Sequence, residues 1–94
     1  MPKAAIIGCG DVSVVHFEAL AGMDDAELVA VCDTDPGRRA AAQGANGVPG
    51  FEDYRDMLEA AAPDVVHVTT PHHEHAAIAI ECLRRGVHVV LEKP

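Results

Sequence analysis

Residues Ala4-Ala5-Ile6-Ile7-Gly8-Cys9-Gly10-Asp11-Val12-Ser13 constrain this chain more than any other stretch. Small Ala and branched Ile make a short apolar run, suited to a central parallel strand covered on both faces. The run ends in a glycine turn that opens a helix, so bare backbone N–H groups are presented where a phosphate can sit. Gly8 permits the tight turn, and Gly10 lacks the Cβ that would block a pyrophosphate. Ser13 stands where the strict fingerprint has a third glycine, and is small enough for close helix–strand packing. Many ligand-free proteins also join a strand to a helix through glycines, so the case depends on the chain beyond Ser13.

Beyond this turn the chain alternates strand and helix. Val12, Val15, Phe17, Ala19 and Leu20 suit a first helix, ended by Gly22. Glu27 to Asp33 is a second apolar strand closing on an acid. Pro36 takes the first position of an Ala-rich helix, where its missing N–H costs nothing. Gly44 to Gly50 is an irregular connection touching strand conformation near Val48, and a helix around Tyr54, Met57 and Leu58 stops before Pro63. Asp64 to Thr69 is the next strand. Thr70 is a suitable N-cap and Pro71 a suitable first residue for a helix that runs to Arg85 and is closed by Gly86. Val87 to Leu91 is the fourth main strand.

This pattern predicts an α/β fold: a Rossmann-type parallel sheet with helices on both faces, comprising the first four main strands in the order 3-2-1-4. Scarce aromatics, 3% against 49% apolar residues, imply a core of Ala, Val, Ile and Leu. At 94 residues the chain is one domain or less. Its fourth strand is expected to be an apolar edge open to self-association.

Charge and cysteines narrow the function. A formal net charge of −8 offers no basic stripe for a nucleic acid. Cys9, Cys32 and Cys82 show neither C-x-x-C spacing nor an even count, and are read as reduced thiols in a cytoplasmic protein. The sequence shows no signal-peptide pattern and no apolar run near the roughly 18 residues that span a bilayer.

Asp33 lies at the end of the second strand, twenty residues beyond Ser13, where a carboxylate accepts hydrogen bonds from both ribose hydroxyls of an adenosine. A solvated turn acid is the plainer alternative. Asp33 and Asp35 repel a 2′-phosphate and favour NAD over NADP, while Arg38 and Arg39 keep NADP open. Arg38 either lies against the adenine or is an exposed helix arginine. The His72-His73-Glu74-His75 cluster lacks metal spacing, since adjacent helical residues diverge and only His72 and His75 could meet. His16, His67 and His88 are read as structural. Glu92-Lys93-Pro94 lies just past the fourth strand, at the strand ends where open α/β sheets bind ligands, and a lysine there can assist proton movement.

Together these residues resemble a family. Gly8-Cys9-Gly10 with His16 downstream, Asp33, Thr70-Pro71 with His75, and above all the run from Gly86 to Pro94 are similar to the N-terminal domain of the glucose-fructose oxidoreductase/inositol dehydrogenase (Gfo/Idh/MocA) family. The resemblance covers the whole chain. It implies an NAD(P)-dependent oxidoreductase acting on sugars, cyclitols and related hydroxyl compounds. It also implies that Lys93 is the catalytic lysine beside the nicotinamide and that Glu92 shapes the same pocket. Thr69, Thr70, Pro71 and His75 would line the nicotinamide-ribose side. Gly8, Cys9, Gly10, Asp11 and Val12 would hold the pyrophosphate, and Asp33, Thr34 and Arg38 the adenosine. Family members continue into a substrate domain that this sequence lacks, so residues 1–94 are expected to be the N-terminal part of a nucleotide-binding domain and not to turn over substrate alone. A non-catalytic NAD-binding or interaction module is the alternative.

Overall fold

The computed structural model describes residues 2–8, 27–69 and 74–91. Five parallel strands form one sheet: β1 (Lys3–Ile7), β2 (Glu27–Cys32), β3 (Gly50–Phe51), β4 (Val65–Val68) and β5 (His88–Leu91), in the order β3-β2-β1-β4-β5. Helices α1 (Pro36–Asn46), α2 (Tyr54–Ala61) and α3 (His75–Arg84) are the described helices. The helix expected after the glycine turn, with Val12 and its neighbours, lies outside the described residues. So does the Thr70-Pro71 start expected for the last helix.

The sheet is close to the expected 3-2-1-4 order, but the strand expected as third, Asp64 to Thr69, lies beside β1 and not beside β2, and a fifth strand completes the sheet. The difference arises at Gly50–Phe51, which pairs with Val31 and Cys32 and takes the outer place beside β2. The strand therefore falls just after Val48. Two residues carry no alternation to be read, and Pro49, which has no N–H, still accepts the Val31 N–H at 3.1 Å. The long strands then fall fourth and fifth at 65–68 and 88–91.

β1 is buried from Ala4 to Ile7, which accounts for its unbroken apolar run. Ala5 and Ile7 face α2 and α3 in a cluster with Met57, Leu58, Ile78 and Cys82. Ala4 and Ile6 face the opposite side, where Val31 and Ala42 of α1 join them. The sheet is thus covered on both faces, as the pattern required.

The helix ends obey local chemistry. Asp35 caps α1, its Oδ2 accepting the Arg38 N–H at 2.9 Å, with Pro36 in the first turn. Asp53 caps α2 through the Arg55 N–H at 2.8 Å, and Ala62, at φ 47°, turns the chain out before Pro63. Gly86, at φ 75°, closes α3: its N–H donates to the Leu83 carbonyl at 3.1 Å, and the Val87 N–H donates to that of Cys82 at 2.8 Å. Among the described residues no helix is long and apolar enough to cross a membrane.

Candidate dinucleotide site

The strand order reverses between β1 and β4, and ligands of open α/β sheets bind at the carboxyl ends of strands flanking such a point. A cavity of about 610 Å³ opens there. It lies within the size range of small-molecule sites. Gly8, Asp33, Thr34, Arg38 and Thr69, five of the residues read from the sequence, share its wall.

Gly8 adopts φ 95°, a conformation that side chains resist, as it leaves β1. Its N–H donates to the Cys32 carbonyl at 2.7 Å, tying the turn to the end of β2. From the other side, Thr69 donates its N–H to the Ile7 carbonyl at 2.9 Å. The Thr69 hydroxyl donates to the Gly8 carbonyl. The opening of the glycine turn is therefore clamped between the strands on either side of β1.

Asp33 comes directly after β2. Its N–H donates to the Phe51 carbonyl at 3.0 Å, and its Oδ1 accepts the Asp35 N–H at 2.8 Å, closing a tight turn into α1. Arg38 is exposed on the first turn of α1, with Nε 3.9 Å from Asp35 Oδ2. At this exposure the pair is a weak tether. Arg39 instead donates from Nη1 to the Asp33 carbonyl at 3.0 Å.

Glu52, Tyr54 and Arg55 also line the cavity, although sequence reasoning gave them no role there. The Arg55 guanidinium carbon stands 5.5 Å from the Tyr54 ring centroid, and Tyr54, by hydrogen bond and charge, holds the guanidinium pKa above its usual value. The available signal was Asp53: a cap so soon after a strand puts the first turn of its helix at the carboxyl edge of the sheet. The Cys32 thiol points to the same corner, donating to the Glu52 carbonyl at 3.7 Å.

His75 sits differently from the others. It is buried at the start of α3, and Glu74, Ala77 and Ile78 form the cavity wall there. Cys9, Gly10, Asp11, Val12, Thr70, Pro71, Glu92 and Lys93 lie outside the described residues.

Comparison with known proteins agrees with this geometry. The Gfo/Idh/MocA family profile, described as an oxidoreductase family with an NAD-binding Rossmann fold, matches residues 3–94. D-glucoside 3-dehydrogenase of Escherichia coli K12 is 40% identical over 97 residues, covering 98% of this chain and 27% of the relative. Inositol 2-dehydrogenase of Salmonella typhimurium is 34% identical over 95 residues, covering 98% and 28%. The chain thus spans little more than a quarter of the length of these curated relatives. Among solved structures, the WlbA dehydrogenase of Bordetella pertussis in complex with NADH and UDP-GlcNAcA superposes with a TM-score of 0.94 at 40% identity, covering 99% of this chain and 29% of that one. The scyllo-inositol dehydrogenase of Lactobacillus casei with bound NAD(H) and scyllo-inositol gives a TM-score of 0.92 at 31% identity, covering 100% and 28%.

Proposed function

The chain belongs to the Gfo/Idh/MocA oxidoreductase family, with its NAD-binding Rossmann fold, and on that premise we propose that it supplies the dinucleotide site of a dehydrogenase acting on a hydroxyl of a sugar, cyclitol or related polyol. One observation carries the reading: Asp33 and the positive-φ Gly8 meet on a single cavity at the strand ends. A carboxylate at that place accepts from a ribose diol, while amides beyond Gly8 meet a diphosphate. The residues present therefore fit an adenine dinucleotide.

In this reading Gly8, Cys9, Gly10, Asp11 and Val12 hold the diphosphate. Asp33 holds the adenosine ribose, with Thr34 and Arg38 beside it. Thr69, Thr70, Pro71 and His75 border the nicotinamide ribose. A nicotinamide dinucleotide held there would supply the hydride acceptor or donor for the substrate hydroxyl. Lys93, after β5, takes the proton of the reacting hydroxyl, and Glu92 helps shape the same pocket. The sugar or cyclitol class comes from what the relatives act on. NAD is preferred to NADP because Asp33 and Asp35, both on the cavity wall, would repel a 2′-phosphate.

The test is titration of NADH by nicotinamide fluorescence. The full chain binds NADH, and Asp33→Ala weakens it about tenfold or more, as expected when charge-assisted hydrogen bonds to a diol are lost. A folded chain that leaves millimolar NADH unbound refutes the proposal.

A further inference from the structure

Two arginines stand side by side at the start of α1, and the fold uses them differently. Arg38 is exposed on the cavity wall. Arg39 is half-buried, with Nη1 3.0 Å from the Asp33 carbonyl oxygen and its aliphatic stem over Gly50 of β3. A Cβ at Gly50 would stand 2.9 Å from Arg39 Cγ and 2.7 Å from Gln43 Oε1, closer than packed atoms allow. The backbone of Gly50 is not in the left-handed region, so what this glycine provides is room for the stem and not a special conformation.

The consequence falls on Asp33, whose contacts with the described residues include three hydrogen bonds. Its N–H is bound by Phe51, its Oδ1 by the Asp35 N–H, and its carbonyl by Arg39. The first two are available to any turn of this shape. The third depends on a residue pair eleven positions apart that meets only because β3 lies beside β2.

We infer that Arg39, seated on Gly50, is a positioning residue for cofactor selectivity: it aims the Asp33 carboxylate at the ribose diol and is itself withheld from a 2′-phosphate. This rests on the reading of the cavity as a dinucleotide site. A guanidinium beside the end of β2 would ordinarily serve NADPH, because an arginine there pairs with the added phosphate. Here Nη1 is bound to the Asp33 carbonyl, the stem is seated over Gly50, and the side chain is not on the cavity wall, while Arg38 is left beside the Asp35 carboxylate. Selectivity thus comes from the pairing of Arg39 with Gly50 as well as from the acid.

The experiment compares NADH and NADPH dissociation constants by nicotinamide fluorescence in the full chain and in Arg39→Met, Arg39→Lys and Gly50→Ala. Arg39→Met weakens NADH about fivefold, the effect of loosening one hydrogen bond to a carboxylate, and weakens NADPH less, so the NADPH-to-NADH ratio of constants falls. Arg39→Lys, which keeps a donor, recovers part of that ratio. Gly50→Ala retains the guanidinium but unseats it; the ratio falls there too, now also through tighter NADPH binding. It keeps the test open if Arg39→Met does not fold. Equal loss of both cofactors in the two variants, with the ratio within about twofold of the parent, would make Arg39 a brace for the sheet edge and overturn the inference. A parent chain that binds no NADH would instead overturn the functional reading, and the inference with it.

Discussion

Replacing Thr69 by Val removes one hydroxyl from the clamp on the glycine turn and keeps the shape of the side chain. In the parent, Thr69 Oγ1 donates to the Gly8 carbonyl and lies 3.2 Å from that of Ile7. The Ile7 carbonyl keeps a donor in the variant, since the Thr69 N–H already reaches it at 2.9 Å. The Gly8 carbonyl loses its side-chain partner. A neutral hydrogen bond contributes about 1 kcal/mol net, and a part-buried acceptor left short raises the cost toward about 2 kcal/mol. In a domain of this size each 1 kcal/mol moves the melting temperature by about 4–8 °C, so Thr69→Val should melt roughly 5–12 °C lower by circular dichroism. Thr69→Ser, which keeps the hydroxyl, should recover most of the loss, separating the hydrogen bond from the methyl contact. NADH affinity should fall in Thr69→Val and much less in Thr69→Ser, because the position of Gly8 sets where the turn begins. If Thr69→Val melts within a degree of the parent, the clamp contributes nothing and the account of the turn is wrong.

Other perturbations test the remaining supports. Met57 is fully buried between α2 and the sheet, so Met57→Ala should cost about 2–5 kcal/mol in urea unfolding. Gly86→Ala meets no atom within 4 Å, yet must hold φ 75°; a loss of about 1 kcal/mol is expected from backbone strain alone, and no loss would show that the turn relaxes. The Arg85 Nε donates to Glu81 at 2.8 Å and holds that carboxyl below its ordinary value of 4.5. The folded state thus favours the charged carboxylate: the contribution is present above 4.5 and is lost as pH falls through the lowered midpoint. An NMR titration should place the Glu81 midpoint below 4.5 and return it toward 4.5 in Arg85→Gln. Burial pushes the Cys82 thiol above its ordinary 9.0, so alkylation by iodoacetamide at pH 8 should be far slower in the folded chain than in denaturant.

Much of the fold was legible because it is written in local rules. The unbroken run of β1 announces a strand buried on both faces, and Ala4 to Ile7 are so buried. Pro36 opening α1, Pro63 after α2 and Gly86 closing α3 act through φ, through a missing N–H and through positive φ, each within a turn of its own position. Asp33 could be placed at the cavity because it ends a strand that the glycine turn must neighbour. Less could be said of β3, whose two residues have no period, or of Tyr54 and Arg55, whose place in the wall depends on where β3 docks.

The two neighbouring arginines show where the division lies. From the sequence alone Arg38 and Arg39 are neighbouring cations near an acid, either able to meet a phosphate, and only Arg38 is read against the adenine. The alternation of apolar runs, proline and glycine by itself determined that strands and helices would alternate, and that a carboxylate would close the second strand, because those outcomes depend on sterics and hydrogen bonds within a few residues. Tertiary structure decided which arginine faces the cavity and which grips the Asp33 carbonyl. Parallel pairing brings Gly50 beside Val31 and leaves a space the size of a side chain, and that space exists only once distant strands have joined.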